Sequence, residues 1–222
     1  MAQLPLDLGH LPALGREDFL IAASNEIAVG WLERWPDWPQ PALAIYGPPG
    51  AGKTHLAHVF AARVRATGAT PILIEPAGLE VETVPALVGA SRAVVVDGAN
   101  LAAEQALLHL YNFVAERRGH LLIVAPESPS HWSILLPDLR SRLLAAPAVA
   151  LSPPDDALLG AVLVKLFADR QVTVAVDVIA YLVPRIERSF AVARATAAAL
   201  DAAALAEKRP ITVPLARRVL RL

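Results

Sequence analysis

The sequence predicts an α/β protein: a five-stranded parallel sheet with flanking helices, followed by a small all-helical C-terminal domain. Three observations carry this expectation. Gly47-Pro48-Pro49-Gly50-Ala51-Gly52-Lys53-Thr54 fits the phosphate-loop pattern G-x-x-x-x-G-K-[ST], set between an apolar strand-like run and a stretch of helical period. Four further short apolar runs alternate with helical segments, as a parallel sheet requires. At Ser152-Pro153-Pro154-Asp155-Asp156 the alternation stops, and everything beyond it has helical period. The expected divisions are an extended tail over residues 1–10, an α/β nucleotide-binding domain over 11–152 and a helical lid over 153–222.

Composition bounds the rest. A chain of 222 residues, 55% of them hydrophobic, holds one α/β domain with a small appendage. No apolar run approaches the roughly 20 residues of a membrane span. Met1 to Gly9 has no basic residue and no apolar segment of secretory type, so cytoplasm is the expected compartment and no membrane partner is expected. Without cysteine, disulfides and thiolate metal sites are excluded. Twenty basic residues against 21 acidic ones give a net charge of −1, which supplies no general field for nucleic acid, and no sequence-specific DNA binding is expected.

In chain order, Gln3-Leu4-Pro5-Leu6-Asp7-Leu8 alternates apolar with other residues, and Pro5 disfavours a helix. It reads as an extended segment, either an edge strand or loose terminus, or a peptide whose Gln3, Leu4, Leu6 and Leu8 enter a partner's groove. Phe19 to Trp35 has helical spacing, ended by Pro36, Pro39 and Pro41, with Trp31, Trp35 and Trp38 expected in the core. Ala42 to Tyr46 reads as a buried strand and His55 to Val64 as the helix behind the phosphate loop. Glycines let that loop turn its amides inward, and the helix N-terminus adds positive potential at the phosphates. Lys53 would reach the β- and γ-phosphates, and the Thr54 hydroxyl would bind Mg²⁺.

Pro71 to Glu75 reads as the second strand, and Ala93 to Asp97 as a third that ends in an acid. Asp97 faces the loop across the sheet and is the candidate Mg²⁺ carboxylate. Many ATPases of this kind place a second acid directly after it to deprotonate the attacking water; here that position is Gly98, so slow hydrolysis is expected, with Glu104 one substitute base. Ala102 to Arg118 is an amphipathic helix capped at Gly119. His120 to Ala125 is the fourth strand, Leu136 to Leu144 a helix bearing Arg140 and Arg142, and Val149 to Leu151 the last strand. Helices follow over Ala157 to Asp169, Asp177 to Val183 and Glu187 to Ala206, with Leu215 to Leu220 closing the chain beside Arg217, Arg218 and Arg221, a basic cluster that reads as a solvated helix face.

Together these features resemble the AAA+ architecture and, more narrowly, the DnaA family of bacterial replication initiators. The residues that carry the resemblance are Asp18-Phe19 with Ser24-Asn25, Gly47 to Thr54, Val94 to Asp97, Leu121 to Pro129, Leu139-Arg140-Ser141-Arg142-Leu143, Leu151 to Asp155 and Ile186-Glu187-Arg188. It implies ADP or ATP with Mg²⁺ as cofactors. Gly47, Pro48, Pro49, Gly50, Ala51, Gly52, Lys53, Thr54 and His55 would cradle the nucleotide, Asn25 would lie near the adenine, and Arg188 would contact it from the lid. Thr54 and Asp97 would hold the metal, Glu127 would sense the terminal phosphate, and Arg142 would be an arginine finger for a neighbouring subunit's nucleotide.

Initiators of this family carry a C-terminal helix-turn-helix domain for DNA. This sequence stops at Leu222 and opens with a hexapeptide resembling the bacterial sliding-clamp-binding motif, so it resembles the short Hda-type branch of regulatory inactivators. The implied partners are the sliding clamp and the initiator DnaA, with monomer and homodimer both compatible. Two other functions are open to the sequence: a stand-alone remodelling or loading ATPase, and a nucleotide-gated adaptor that recruits DnaA by protein contacts alone.

Overall fold

A computed structural model describes residues 20–221; Gln3, Leu4, Leu6 and Leu8 lie outside them. The described elements run α1 (Glu26–Glu33), β1 (Ala42–Tyr46), α2 (Lys53–Ala66), β2 (Pro71–Ile74), α3 (Val84–Val88), β3 (Ala93–Asp97), α4 (Glu104–Glu116), β4 (His120–Ala125), α5 (Pro137–Ala145) and β5 (Ala148–Ala150). The helices α6 (Asp156–Ala168), α7 (Val176–Leu182), α8 (Phe190–Glu207) and α9 (Val213–Leu220) follow. The sheet has five strands in the order β2-β3-β4-β1-β5, every pair parallel. Because β1 lies next to β4 while the chain runs from β1 out to β2, the strand order reverses there. A crevice opens at the carboxyl ends of the strands at such a point, where ligands bind in α/β sheets.

Strand period two explains how uniformly apolar strands sort their side chains. Ala42, Ala44, Val94, Val96, Leu121 and Ile123 turn to the face covered by α4 and α5. Leu43, Ile45, Ala93, Val95, Leu122 and Val124 turn to the face covered by α1 and α2. The C-terminal helices close on a third core around Leu163, Phe167 and Leu200. Among the described residues no helix is long and apolar enough to cross a membrane.

Trp35 and Trp38 pack under α2. Phe60, fully buried, meets Trp35 edge-on at 5.8 Å between ring centroids and stacks on Trp38 at 5.4 Å. The Trp38 indole N–H donates to the Trp31 carbonyl at 2.8 Å. Such aromatic pairs contribute about 0.5–1.5 kcal/mol each beyond their buried area, so this cluster fixes the approach to β1.

Two local expectations change. The first helix starts at Glu26 rather than Phe19, because the Asn25 side chain bonds its own upstream backbone, accepting from Ala22 N–H and donating to the Leu20 carbonyl at 3.0 Å each. Side-chain bonds of this kind compete with helical ones. The left-handed residue ending α4 is Arg118 (φ 54°), not Gly119, whose amide closes the turn by donating to the Val114 carbonyl at 2.9 Å. Gly119 is needed for space: a Cβ there would lie 3.0 Å from the Arg92 carbonyl oxygen.

His120 sits edge-on to Trp38 at 5.4 Å, and burial holds its pKa below the ordinary histidine value, the Asp37 charge only partly opposing. The unfolded chain therefore binds the proton more readily than the fold does, and stability present above about pH 6.5 is lost as pH falls below it. The melting temperature is expected to drop between pH 7 and pH 5, with a shallower drop in His120→Asn. Equal slopes for the two proteins would assign the loss to other groups.

Candidate functional site

The loop from Gly47 to Thr54 leaves β1 at the crevice. Gly50 (φ 75°) and Gly52 (φ 98°) hold left-handed backbone that side-chain-bearing residues adopt only under strain. Gly52 is the N-cap of α2 and brings no side chain, so nothing of its own competes with an anion for the amides of the first turn. Lys53 Nζ donates to the carbonyls of Gly47 at 2.7 Å and Pro48 at 2.8 Å. An ammonium has three donors, so one remains for a phosphate oxygen. Burial lowers the Lys53 pKa and Asp97 opposes that shift.

The Thr54 hydroxyl donates to Asp97 Oδ2 at 2.6 Å, joining α2 to the end of β3. Two such oxygens suit a hard cation, which keeps waters and takes phosphate oxygens for its other positions. The donor set therefore fits a nucleotide with Mg²⁺. Thr54 and Asp97 also line a cavity of about 570 Å³ with His58, Leu73, Glu75 and Leu101. Glu75 had no role among the sequence-based expectations. Its signal was its place at the end of the strand that neighbours the Asp97 strand.

The position after Asp97 disfavours a side chain. Gly98 is left-handed (φ 83°), its amide donates to the Val124 carbonyl at 2.9 Å, and a Cβ on it would stand 3.3 Å from Pro76 Cγ. Glu104 is not a substitute base, because its carboxylate accepts from the backbone amides of Leu135 at 2.9 Å and Leu136 at 2.8 Å, fastening the entry to α5. Glu127 is exposed and lines a different cavity, of about 300 Å³, with Asn100, His131 and Trp132.

The lid rests on the loop. Phe190 N–H donates to the Gly50 carbonyl at 2.9 Å, Ser189 Oγ stands where a Cβ on Gly50 would be, and the Phe190 ring lies 3.0 Å from the place a Cβ on Gly52 would take. Ser189 is buried and caps α8, accepting from Val192 N–H at 3.4 Å. The N-termini of α2 and α8 thus converge on one loop, and both carry positive potential. Arg188, one residue earlier, pairs with Asp156 Oδ1 at 2.9 Å on the lid surface. Asn25 is buried, and the neighbouring Ser24 carbonyl accepts from Ser152 N–H at 3.3 Å, which ties the first turn to the start of the lid connection. His55 sits in the first turn of α2.

Arg142 stands apart, on α5. Its Nε and Nη2 donate to the two Asp138 oxygens at 3.1 and 3.2 Å, and its guanidinium carbon lies 5.4 Å from the centroid of the Tyr111 ring. Burial raises the Tyr111 pKa, and the arginine opposes that. An exposed pair four residues apart on a helix contributes only about 0.3–0.5 kcal/mol, so its consequence is orientation rather than stability. The Nη1 edge is left for another acceptor.

A five-stranded parallel sheet with this strand order, a phosphate-loop sequence on β1, an acid ending β3 and a helical C-terminal region seated on the loop give the chain a fold of the AAA+ kind. Comparison narrows it. Residues 156–220 match the family described as "Hda, lid domain". Domain III of the replication initiation protein DnaA from Thermotoga maritima superposes with a TM-score of 0.82 at 16% identity, over 95% of this chain and 96% of that one. AMPPCP-bound DnaA from Aquifex aeolicus gives a TM-score of 0.68 at 16% identity, over 80% of this chain and 62% of that one. An uncharacterised protein of Haemophilus influenzae is 27% identical over 229 residues, covering 99% of each chain. The fold is thus similar to that of DnaA domain III, and the C-terminal helical region is similar to the Hda lid family.

Gly50→Ala is expected to unseat the lid, since its Cβ collides with Ser189 and its left-handed backbone costs about 1–2 kcal/mol. Hydrogen exchange reads this directly: the Phe190 amide should lose protection while Leu200, inside the lid core, keeps it. A Phe190 amide that stays protected in the variant would mean the loop does not hold the lid in place.

Proposed function

We propose that this chain is a nucleotide-binding negative regulator of bacterial replication initiation, which docks on the sliding clamp through Gln3, Leu4, Leu6 and Leu8 and stimulates ATP hydrolysis by DnaA with Arg142. The observation that carries the reading is the setting of Arg142: a surface guanidinium held side-on by Asp138 and Tyr111, away from the cavity beside its own phosphate loop. Presented in this way, an arginine offsets transition-state charge on a phosphate held by another subunit. The Hda-type lid and the DnaA-like fold support a partner of the same architecture.

Labour in this reading divides among the tail over residues 1–10, the nucleotide domain over 11–152 and the lid over 153–222. The chain's own loop binds ADP or ATP, as the AMPPCP-bound relative supports, with Mg²⁺ held by Thr54 and Asp97. That nucleotide acts as a conformational ligand whose binding is coupled to lid position through Gly50 and Phe190. Arg188 contacts it from the lid and Asn25 lies near the adenine. Intrinsic hydrolysis is weak because Gly98 leaves the usual base position empty of a side chain.

Hydrolysis of ATP bound to DnaA, measured with clamp-loaded DNA, tests the finger. The wild-type chain should accelerate it and Arg142→Ala should not, with a loss of about 10³–10⁵-fold if the arginine works as fingers do elsewhere. Equal acceleration by both proteins, or by neither, sinks this mechanism. Removing residues 1–8 should abolish clamp binding while nucleotide affinity is retained; a truncated protein that still binds the clamp would exclude the tail as the docking peptide.

A further inference from the structure

We propose that Glu75 is the general base for hydrolysis of the nucleotide bound by this chain, supplying from β2 the acid that the position after Asp97 lacks. The proposal rests on the nucleotide-binding part of the function above and goes beyond it. Its first support is register. The β2–β3 ladder ends on the pair Ile74 and Val96, and Glu75 and Asp97 are the residues that follow this pair on their two strands.

The pleat supplies the second. Ile74 and Val96 both turn to the face covered by α4 and α5. Glu75 is still extended (φ −86°, ψ 139°), so the alternation carries through it, and Glu75 and Asp97 both turn to the face of α2. There they line one cavity with Thr54 and His58.

The third support is the shape of the turn after β2. Pro76 packs against Gly98, its Cγ standing 3.3 Å from where a side chain at that position would begin. The segment carrying Glu75 therefore crowds the position after Asp97. Of the other acids considered for the role, Glu104 is bonded to two backbone amides and Glu127 lines a separate cavity. The Glu75 carboxylate makes no hydrogen bond with the protein among the described residues, and its neighbours in the cavity are largely apolar: Leu73, Ile74, Val95 and Leu101. Glu75 is solvent-exposed, so its carboxylate is open to a water that it can orient and deprotonate.

In the step, a water gives a proton to Glu75 as its oxygen bonds to the γ-phosphorus. The bond from that phosphorus to the oxygen bridging to the β-phosphate breaks, leaving ADP and inorganic phosphate, and Glu75 returns its proton to solvent.

The test uses the full chain, as wild type and as the isosteric Glu75→Gln. Single-turnover hydrolysis of ATP is measured alongside equilibrium binding of ADP and AMPPCP, each with Mg²⁺. Slow turnover by the wild type, a fall of about 10²–10⁴-fold in E75Q and unchanged affinity for both nucleotides are expected. Turnover by E75Q at the wild-type rate, a wild type that binds ATP without hydrolysing it, or a joint loss of turnover and ADP affinity overturns the assignment. A wild type that binds neither nucleotide overturns the assignment and the nucleotide-binding reading together, whereas intact binding without Glu75-dependent turnover overturns only the base.

Discussion

The hydrogen bond from Thr54 to Asp97 joins residues 43 positions apart and exists only because of how the sheet is threaded. Thr54 is placed by the loop leaving β1; Asp97 is placed by β3; β4 lies between the two strands and sets their separation. Every ladder that fixes this spacing is parallel, and the side chains that hold the strands level are the alternating apolar residues of two cores. Slipping β3 by one residue would turn Asp97 away from α2 and drive the Val94 and Val96 side chains out of their core. The Thr54 and Asp97 oxygens are thus positioned by the packing of the two cores.

The same loop constrains the lid. The glycines of a phosphate loop are usually explained by the approach of a ligand, and here Gly50 and Gly52 also admit Ser189 and the Phe190 ring. The bond from the Phe190 amide to the Gly50 carbonyl makes the loop part of the lid's seat. In the proposed function a nucleotide that moved the loop would disturb that seat, and the four lid helices, which share one core, would move together. Coupling between ligand and lid therefore needs no relay beyond two residues.

Much of this was legible in the chain. All five strands fall where short apolar runs bounded by Gly and Pro predict them, and the loop and Asp97 follow from spacing alone. What was not legible depends on tertiary geometry. The start of α1 was set by Asn25 bonding its own upstream backbone, and the cap of α4 by Arg118 taking a left-handed turn so that Gly119 could pass close to Arg92. The seat of the lid on Gly50 joins residues far apart in sequence that no local pattern links. Glu75 was visible as a strand-end acid, but only the pairing of β2 with β3 gives it a neighbour.

The two arginines that face phosphate chemistry in this reading share one design. Arg142 is paired with Asp138 and Arg188 with Asp156, and all four side chains are at least a third exposed. Exposed pairs of this kind contribute about 0–1 kcal/mol, whereas a charge-assisted bond to a phosphate contributes about 1.5–3 kcal/mol. Exchanging the aspartate for a phosphate is therefore favourable once the phosphate is brought within reach, and costs little before then. The aspartates keep each guanidinium oriented without holding it back; in the proposed function the selectivity of both contacts would then be set by what delivers the phosphate, the chain's own loop for Arg188 and a docked partner for Arg142.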